Sequence, residues 1–312
     1  MDHAVASPVD FDPITPCTPP SPTPPKRMTK TLLSFGHGYS ARALTPLLPS
    51  DWRVIGTTRS EDKAAELMTL GIEPRIWPGA DLTPALDAAT HLLISAGPSD
   101  DGDPVLNELR DEIAARRDQF EWVGYLSTTG VYGDHDGGWV DESTPLAPST
   151  KRGQMRVDAE AAWQSLDLPL HIFRLAGIYG PGRGPFSKVR NGTARRIIKD
   201  GQVFSRIHVD DIAQILAASI IQPNAGAIYN LCDDDPAPPQ DVIAHAAELL
   251  GLPIPQETAF KDADMSPMAR SFYAESKKVR NDRIKTELGV ELLFPDYRVG
   301  LASLLAAETR TI

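Results

Sequence analysis

The sequence predicts an α/β fold: a parallel sheet covered by helices on both faces, with a smaller C-terminal lobe. Three observations predict it. Short apolar runs alternate with amphipathic helix patterns from Met28 to about Ala176. The first of these runs ends in a glycine turn, Gly36-His-Gly38-Tyr39-Ser40-Ala41. Beyond Gly177 the texture changes, starting with the turn-rich Gly180-Pro-Gly-Arg-Gly-Pro185.

Residues 1–27 hold eight prolines, from Pro8 to Pro25, which break helices and central strands. They have no apolar signal-peptide core and read as a disordered tail, with polyproline recognition as an alternative. Met28 then stands as an alternative start. Strands read at 31–35, 52–57, 73–77, 91–95, 121–127 and 170–175. Helices read between them at 39–48, 60–70, 103–117 and 153–166. The last carries Met155, Ala159, Ala162, Trp163 and Leu166 on one face. Further on, helices read at 209–221, 238–250, 282–288 and 296–307, and a strand at 227–231.

Composition narrows the function. With 41% hydrophobic residues, the 312-residue chain can build a real core. Its net charge of −11, without a Lys/Arg run, argues against nucleic acid or an anionic membrane as partner. No apolar run approaches the length that spans a bilayer. Cysteine occurs only at Cys17 and Cys232, so no disulfide framework is implied and a cytoplasmic location is expected. The histidines are scattered without metal-ligand spacing, so no metal site is expected.

The glycine turn sits between a strand and a helix pattern, which is the setting that holds a dinucleotide pyrophosphate. Gly36 allows the sharp turn, Gly38 lets the backbone approach the phosphates, and Ala41 lets the helix pack on the strand. Tyr39 and Ser40 supply amides of the first helical turn. The second strand ends in Thr57-Thr58-Arg59-Ser60, with no carboxylate for the ribose hydroxyls. Arg59, with the Thr58 and Ser60 hydroxyls, suits a 2′-phosphate, which favours NADP, with NAD as the alternative. Ser60 also reads as a helix cap, with Glu61 and Asp62 in the first turn. Asp81 either accepts from the adenine amino group or is a surface turn residue. Ala96 and Gly97 follow the fourth strand, at the same carboxyl end of the sheet, and are expected to touch the cofactor.

Three later segments carry a resemblance. They are Leu126-Ser-Thr128-Thr-Gly-Val131-Tyr132-Gly133 followed by Asp141-Glu142, then Arg174-Leu-Ala-Gly-Ile178-Tyr179-Gly180-Pro181-Gly182, then Ile207-His208-Val209-Asp210-Asp211. With the glycine turn, and in this order, they make the chain resemble the extended short-chain dehydrogenase/reductases. That family includes nucleotide-sugar epimerases and dehydratases. The chain is most similar to its atypical YeeZ-like branch, from about Thr29 to about Leu305. The resemblance implies a Rossmann-type doubly wound sheet of about seven strands, interleaved with the lobe. Residues 28–177 would form the Rossmann domain, completed by about 207–232. Residues 178–206 and 233–312 would form the lobe around a small-molecule substrate. Family members often dimerise through Rossmann helices, so a homodimer is the assembly the resemblance allows. Phe35 stands where extended members usually carry an earlier glycine.

Family catalysis uses Tyr-x-x-x-Lys with an upstream Ser or Thr. Thr128 matches the latter, either bonding a substrate carbonyl or satisfying backbone. Aligned on Gly153 and Ala159-Glu160, the tyrosine position holds Arg152 and the lysine position holds Arg156. The family tyrosine moves a proton at the substrate oxygen, and arginine, protonated at any useful pH, cannot act as that base. Arg152 can bind an anion, stabilise an oxyanion or face solvent. Tyr132 is the tyrosine nearest to Thr128, and His208, Tyr179, Lys151 and Glu142 are weaker proton candidates. Two functions follow: an NADP-dependent oxidoreductase or epimerase-like enzyme acting on a small carbonyl or sugar-like substrate, or a non-catalytic NADP(H)-binding sensor.

Overall fold

The computed structural model describes Met1 and residues 29–310; the proline-rich tail with Cys17 lies outside the described residues. The chain runs β1 (Thr31–Phe35), α1 (Tyr39–Leu44), β2 (Arg53–Thr58), α2 (Glu61–Thr69), β3 (Glu73–Ile76), α3 (Thr83–Ala88), β4 (His91–Ile94) and α4 (Pro104–Ala115). It continues through β5 (Trp122–Thr128), β6 (Trp139–Val140), α5 (Lys151–Gln164), β7 (Leu170–Leu175), β8 (Gly177–Tyr179), α6 (Phe186–Arg190), β9 (Arg196–Ile198), β10 (Arg206–His208), α7 (Val209–Ile221) and β11 (Ile228–Leu231). It ends with α8 (Pro239–Leu249), β12 (Glu257–Ala259), α9 (Pro267–Ser271), β13 (Lys278–Val279), α10 (Asp282–Leu288) and α11 (Tyr297–Arg310).

Seven strands form one sheet in the order β11-β7-β5-β4-β1-β2-β3. Every pairing in it is parallel. Alternation along β1 explains the two covered faces. Leu32 joins Leu44 of α1 and Ile212, Ile215 and Leu216 of α7 on one side. Its neighbour Leu33 joins Leu86 of α3, Val105 of α4 and Trp163 of α5 on the other. Both leucines are fully buried, and each contributes roughly 1.5–3 kcal/mol by leaving water. β3 is an edge strand and only half-buried, which is why it tolerates Pro74.

The sheet strands lie where the apolar runs predict them, within a residue or two. The first helix ends at Leu44 rather than residue 48, and a 3₁₀ turn over Thr45–Leu47 follows at Pro46. The expected helix 153–166 begins two residues earlier, because Thr150 caps it by accepting the Gly153 N–H at 3.1 Å.

Elements β8, α6, α8 and α11 surround a separate apolar cluster of Tyr179, Phe186, Val242, Ala246, Tyr297 and Leu301. Three short parallel pairs, β8 with β10, β6 with β13 and β9 with β12, join distant segments of chain. Among the described residues, no helix is long and apolar enough to cross a membrane.

Candidate active site

The strand order reverses between β1 and β4, and a cleft of about 810 Å³ opens beside their carboxyl ends. Gly36 has φ +72°, and a Cβ there would stand 3.0 Å from the Ala96 amide nitrogen. Its own N–H donates to Thr57 Oγ1 at 2.8 Å. Gly38 is different: a Cβ there would meet only Gly36 O, at 3.7 Å. No internal packing requires that glycine. It stands before the first turn of α1, whose amides have no side-chain cap. The open space and the free amides fit a pyrophosphate.

Ala41 is on the buried face of α1, and Ser40 lines the cleft. The Tyr39 hydroxyl donates to Pro181 O at 3.0 Å, and the Arg183 guanidinium lies 5.7 Å from the ring centre. Tyr39 therefore ties the glycine turn to the loop after β8. At the end of β2, Thr58 is half-buried. Arg59 is exposed and makes no ion pair among the described residues. Ser60 caps α2 by accepting the Lys63 N–H at 3.3 Å. Asp81 is exposed, and the Thr83 amide that donates to it at 2.9 Å holds its carboxyl below the usual range. One of its oxygens thus serves the turn before α3. The Ala96 N–H donates to Phe35 O at 3.0 Å, and Gly97 lines the cleft.

Thr128, Arg152 and Arg156 all line the cleft. The Thr128 hydroxyl accepts the Gly130 N–H at 3.2 Å, which leaves its own O–H to donate. Arg152 is exposed, with its guanidinium 6.0 Å from the Phe272 ring centre. Arg156 folds back onto the sheet, where Nη1 donates to Leu126 O at 2.7 Å and to the Tyr125 hydroxyl at 3.1 Å. Gly153 lets this helix approach: a Cβ there would stand 2.8 Å from Gly130 O.

Tyr132 is not brought to the cleft. A 3₁₀ turn over Thr129–Tyr132 carries its ring into the interior, fully buried. Its hydroxyl donates to Asn230 Oδ1 at 2.7 Å and accepts from Arg174 Nη1 at 3.0 Å. Burial pushes its pKa up. Arg174 in turn pairs with buried Glu160 at 2.8 Å, and Ser127 donates to the same carboxylate at 2.5 Å. This network fastens β7 to α5.

Most of the other proton candidates are held by partners, though His208 keeps a buried Nε2 without a hydrogen-bond partner among the described residues. His208 is buried, accepts the Asp210 N–H on Nδ1 at 3.2 Å and packs 3.9 Å from the Phe294 ring centre. Glu142 accepts the Asn230 N–H at 2.8 Å. Lys151 pairs with Asp100 at 2.6 Å. Tyr179 lines the cleft, but its hydroxyl points to Asp296 O at 3.5 Å, and burial raises its pKa.

Four lining residues carry charge that the sequence motifs do not mark: Arg183, Arg206, Glu275 and Lys277. Arg206 Nη1 donates to Phe204 O at 2.8 Å and Ala237 O at 3.0 Å. Behind it lies Asp233, 1% exposed, whose two carboxylate oxygens have no hydrogen-bond partner among the described residues. Burial pushes its carboxyl up to about 8, against the pull of Arg206. The cleft wall thus presents four arginines and a lysine against one carboxylate.

The seven-stranded parallel sheet and the glycine turn at its switch point define an extended short-chain dehydrogenase/reductase, the class of the NAD-dependent epimerases, dehydratases and reductases. The chain is 30% identical over 285 residues to Protein YeeZ of Escherichia coli strain K12, covering 86% of this chain and 97% of that protein. It belongs to the YeeZ-like branch of this family. It is also 28% identical over 176 residues to the 3-diazoavenalumate denitrifying reductase of a Streptomyces species, covering 52% of this chain and 55% of that one. Among solved structures it resembles a conserved protein of unknown function from Silicibacter pomeroyi, with 63% identity and a TM-score of 0.86, covering 90% of this chain and 99% of that one. The UDP-glucuronic acid 4-epimerase of Bacillus cereus, solved with UDP-glucuronic acid and NAD, shares the fold at 17% identity and a TM-score of 0.71, covering 90% of this chain and 100% of that one. No family model matches the chain.

Proposed function

We propose that the protein is an NADP-dependent oxidoreductase that acts on a small anionic carbonyl compound, with arginines in place of the family's Tyr-x-x-x-Lys dyad. The charge of the cleft carries this reading. In a chain of net charge −11, Arg152, Arg156, Arg183 and Arg206 line one cavity and make no ion pair among the described residues. Unpaired guanidinium groups in a recess are suited to carboxylate or phosphate.

Gly36, Gly38 and the first turn of α1 would hold the pyrophosphate, and Arg59 with Thr58 would meet a 2′-phosphate. A reduced dinucleotide supplies hydride to a carbonyl carbon. Thr128 has a hydroxyl proton free to donate to the carbonyl oxygen. Arg152, exposed at the cleft, suits the substrate's anionic group. A sugar-like substrate bearing an acid group meets the same requirements.

The test is NADPH consumption with a panel of small aldehydes and ketones, charged and neutral, and nucleotide sugars. Turnover of anionic compounds and indifference to neutral counterparts is the expected result. Tight NADPH binding with no turnover anywhere in the panel would favour the sensor reading, which the loss of the dyad also supports.

A further inference from the structure

The cleft lacks the family's proton-transferring tyrosine, yet a carbonyl that takes up hydride must also take up a proton. Its ionisable lining consists of four arginines, Tyr179, Glu275 and Lys277. Arginine does not release its proton. The Tyr179 hydroxyl is turned toward Asp296. Lys277 is the cation that can give a proton up.

Its surroundings suit that task. The Lys277 side chain is 10% exposed, and Nζ donates to Gly133 O and to Glu275 Oε2, each at 2.6 Å. An ammonium has three donors, so one N–H remains without a partner among the described residues. Gly133 closes the turn that opens with Thr128. Glu275 is bonded by the Ser149 hydroxyl at 2.6 Å, and Ser149 directly precedes the cap of α5. The ammonium is therefore held between the two segments that carry the family's threonine and tyrosine positions. Ser149 is exposed, so Ser149, Glu275 and Lys277 form a hydrogen-bonded chain from solvent to the cleft.

We infer that Lys277 is the proton donor to the substrate oxygen, resupplied from solvent along Glu275 and Ser149; this rests on the oxidoreductase reading above. The carbonyl carbon gains hydride, two electrons with their hydrogen, from the reduced nicotinamide. The C=O π pair moves to oxygen, which takes a proton from the Lys277 ammonium. The products are the alcohol, the oxidised cofactor and a neutral amine, which regains its proton through Glu275.

The test has two arms. In the first, oxalate, an unreactive dianion, is titrated into the NADP⁺-loaded wild-type protein while the Lys277 ammonium is followed by ¹H–¹⁵N NMR. A saturable shift of that signal is expected. An unmoved Lys277 signal overturns the inference, whether or not oxalate binds elsewhere. The second arm uses Lys277→Met, with Glu275→Gln/Lys277→Met as the variant that leaves no lone buried charge. NADPH affinity should stay within about twofold, while turnover of a carbonyl substrate accepted by the wild type falls about 100-fold or more. Lys277→Arg should not rescue it, since the charge returns without a transferable proton. Full turnover in Lys277→Met, with NADPH bound, also overturns the inference. If the wild type turns over nothing, the oxidoreductase reading fails, and the oxalate arm still decides whether Lys277 meets a ligand.

Discussion

Arg156 rests on Gly97. A Cβ on that glycine would stand 2.9 Å from Arg156 Nη2, so the glycine makes room for the guanidinium at the carboxyl ends of β4 and β5.

A fixed positive charge at that place disfavours an oxidised, positively charged nicotinamide ring. NADPH should bind more tightly than NADP⁺ by about 1 kcal/mol, roughly fivefold. Arg156→Gln should bring the two affinities to within about twofold by calorimetry. Tighter binding of NADP⁺ to the wild type would mean that Arg156 does not face the ring.

Gly38→Asp puts a carboxylate into the space before α1. A Cβ there meets only Gly36 O at 3.7 Å, so the fold should survive with its melting temperature nearly unchanged. Dinucleotide binding should vanish through clash and like-charge repulsion. Undiminished affinity in a folded variant would rule the glycine turn out as the phosphate site.

Arg59→Ala should weaken NADP by about 1.5–3 kcal/mol, as expected for hydrogen bonds to a charged group, and leave NAD unchanged. Comparing both cofactors in both proteins checks this. Equal losses would show that Arg59 acts through the fold.

Asp233 makes stability depend on pH. An unfolded aspartate titrates near ~3.9, whereas burial pushes this one up to about 8 in the folded chain. The native state then keeps a proton that the unfolded chain releases. The stabilisation is complete below about 4 and is lost as pH rises to about 8. Asp233→Asn should flatten the fall in melting temperature across that window. A variant that keeps the full slope would trace it to another group.

The sheet is legible in the sequence because parallel strands covered on both faces read as unbroken apolar runs, such as Val54-Ile55 and Leu92-Leu-Ile94. The two- and three-residue strands β6, β8, β9, β10, β12 and β13 are too short for any period to declare them. Helix α3, six residues around Pro84, escapes notice for the same reason. In the cleft, Thr128, Arg152 and Arg156 are found by their spacing from family motifs. Arg183, Arg206, Glu275 and Lys277 arrive on loops and strand ends from distant parts of the chain, and only packing brings them together. Tyr132 shows the converse. It lies four residues from Thr128, yet one tight turn sends its ring into the interior and away from the cleft.

The short strand pairs also build part of the cleft lining. Arg280 N–H bonds to Val140 O at 2.9 Å and Lys278 N–H to Gly138 O at 2.8 Å, while β10 is laced to β8 directly after the sheet strand β7. Backbone seams therefore carry Tyr179, Arg206 and Val279 to one recess from segments far apart in the sequence. The lining is assembled only where those distant segments pair, so a substitution that opens a seam should loosen ligand binding as well as lower the melting temperature.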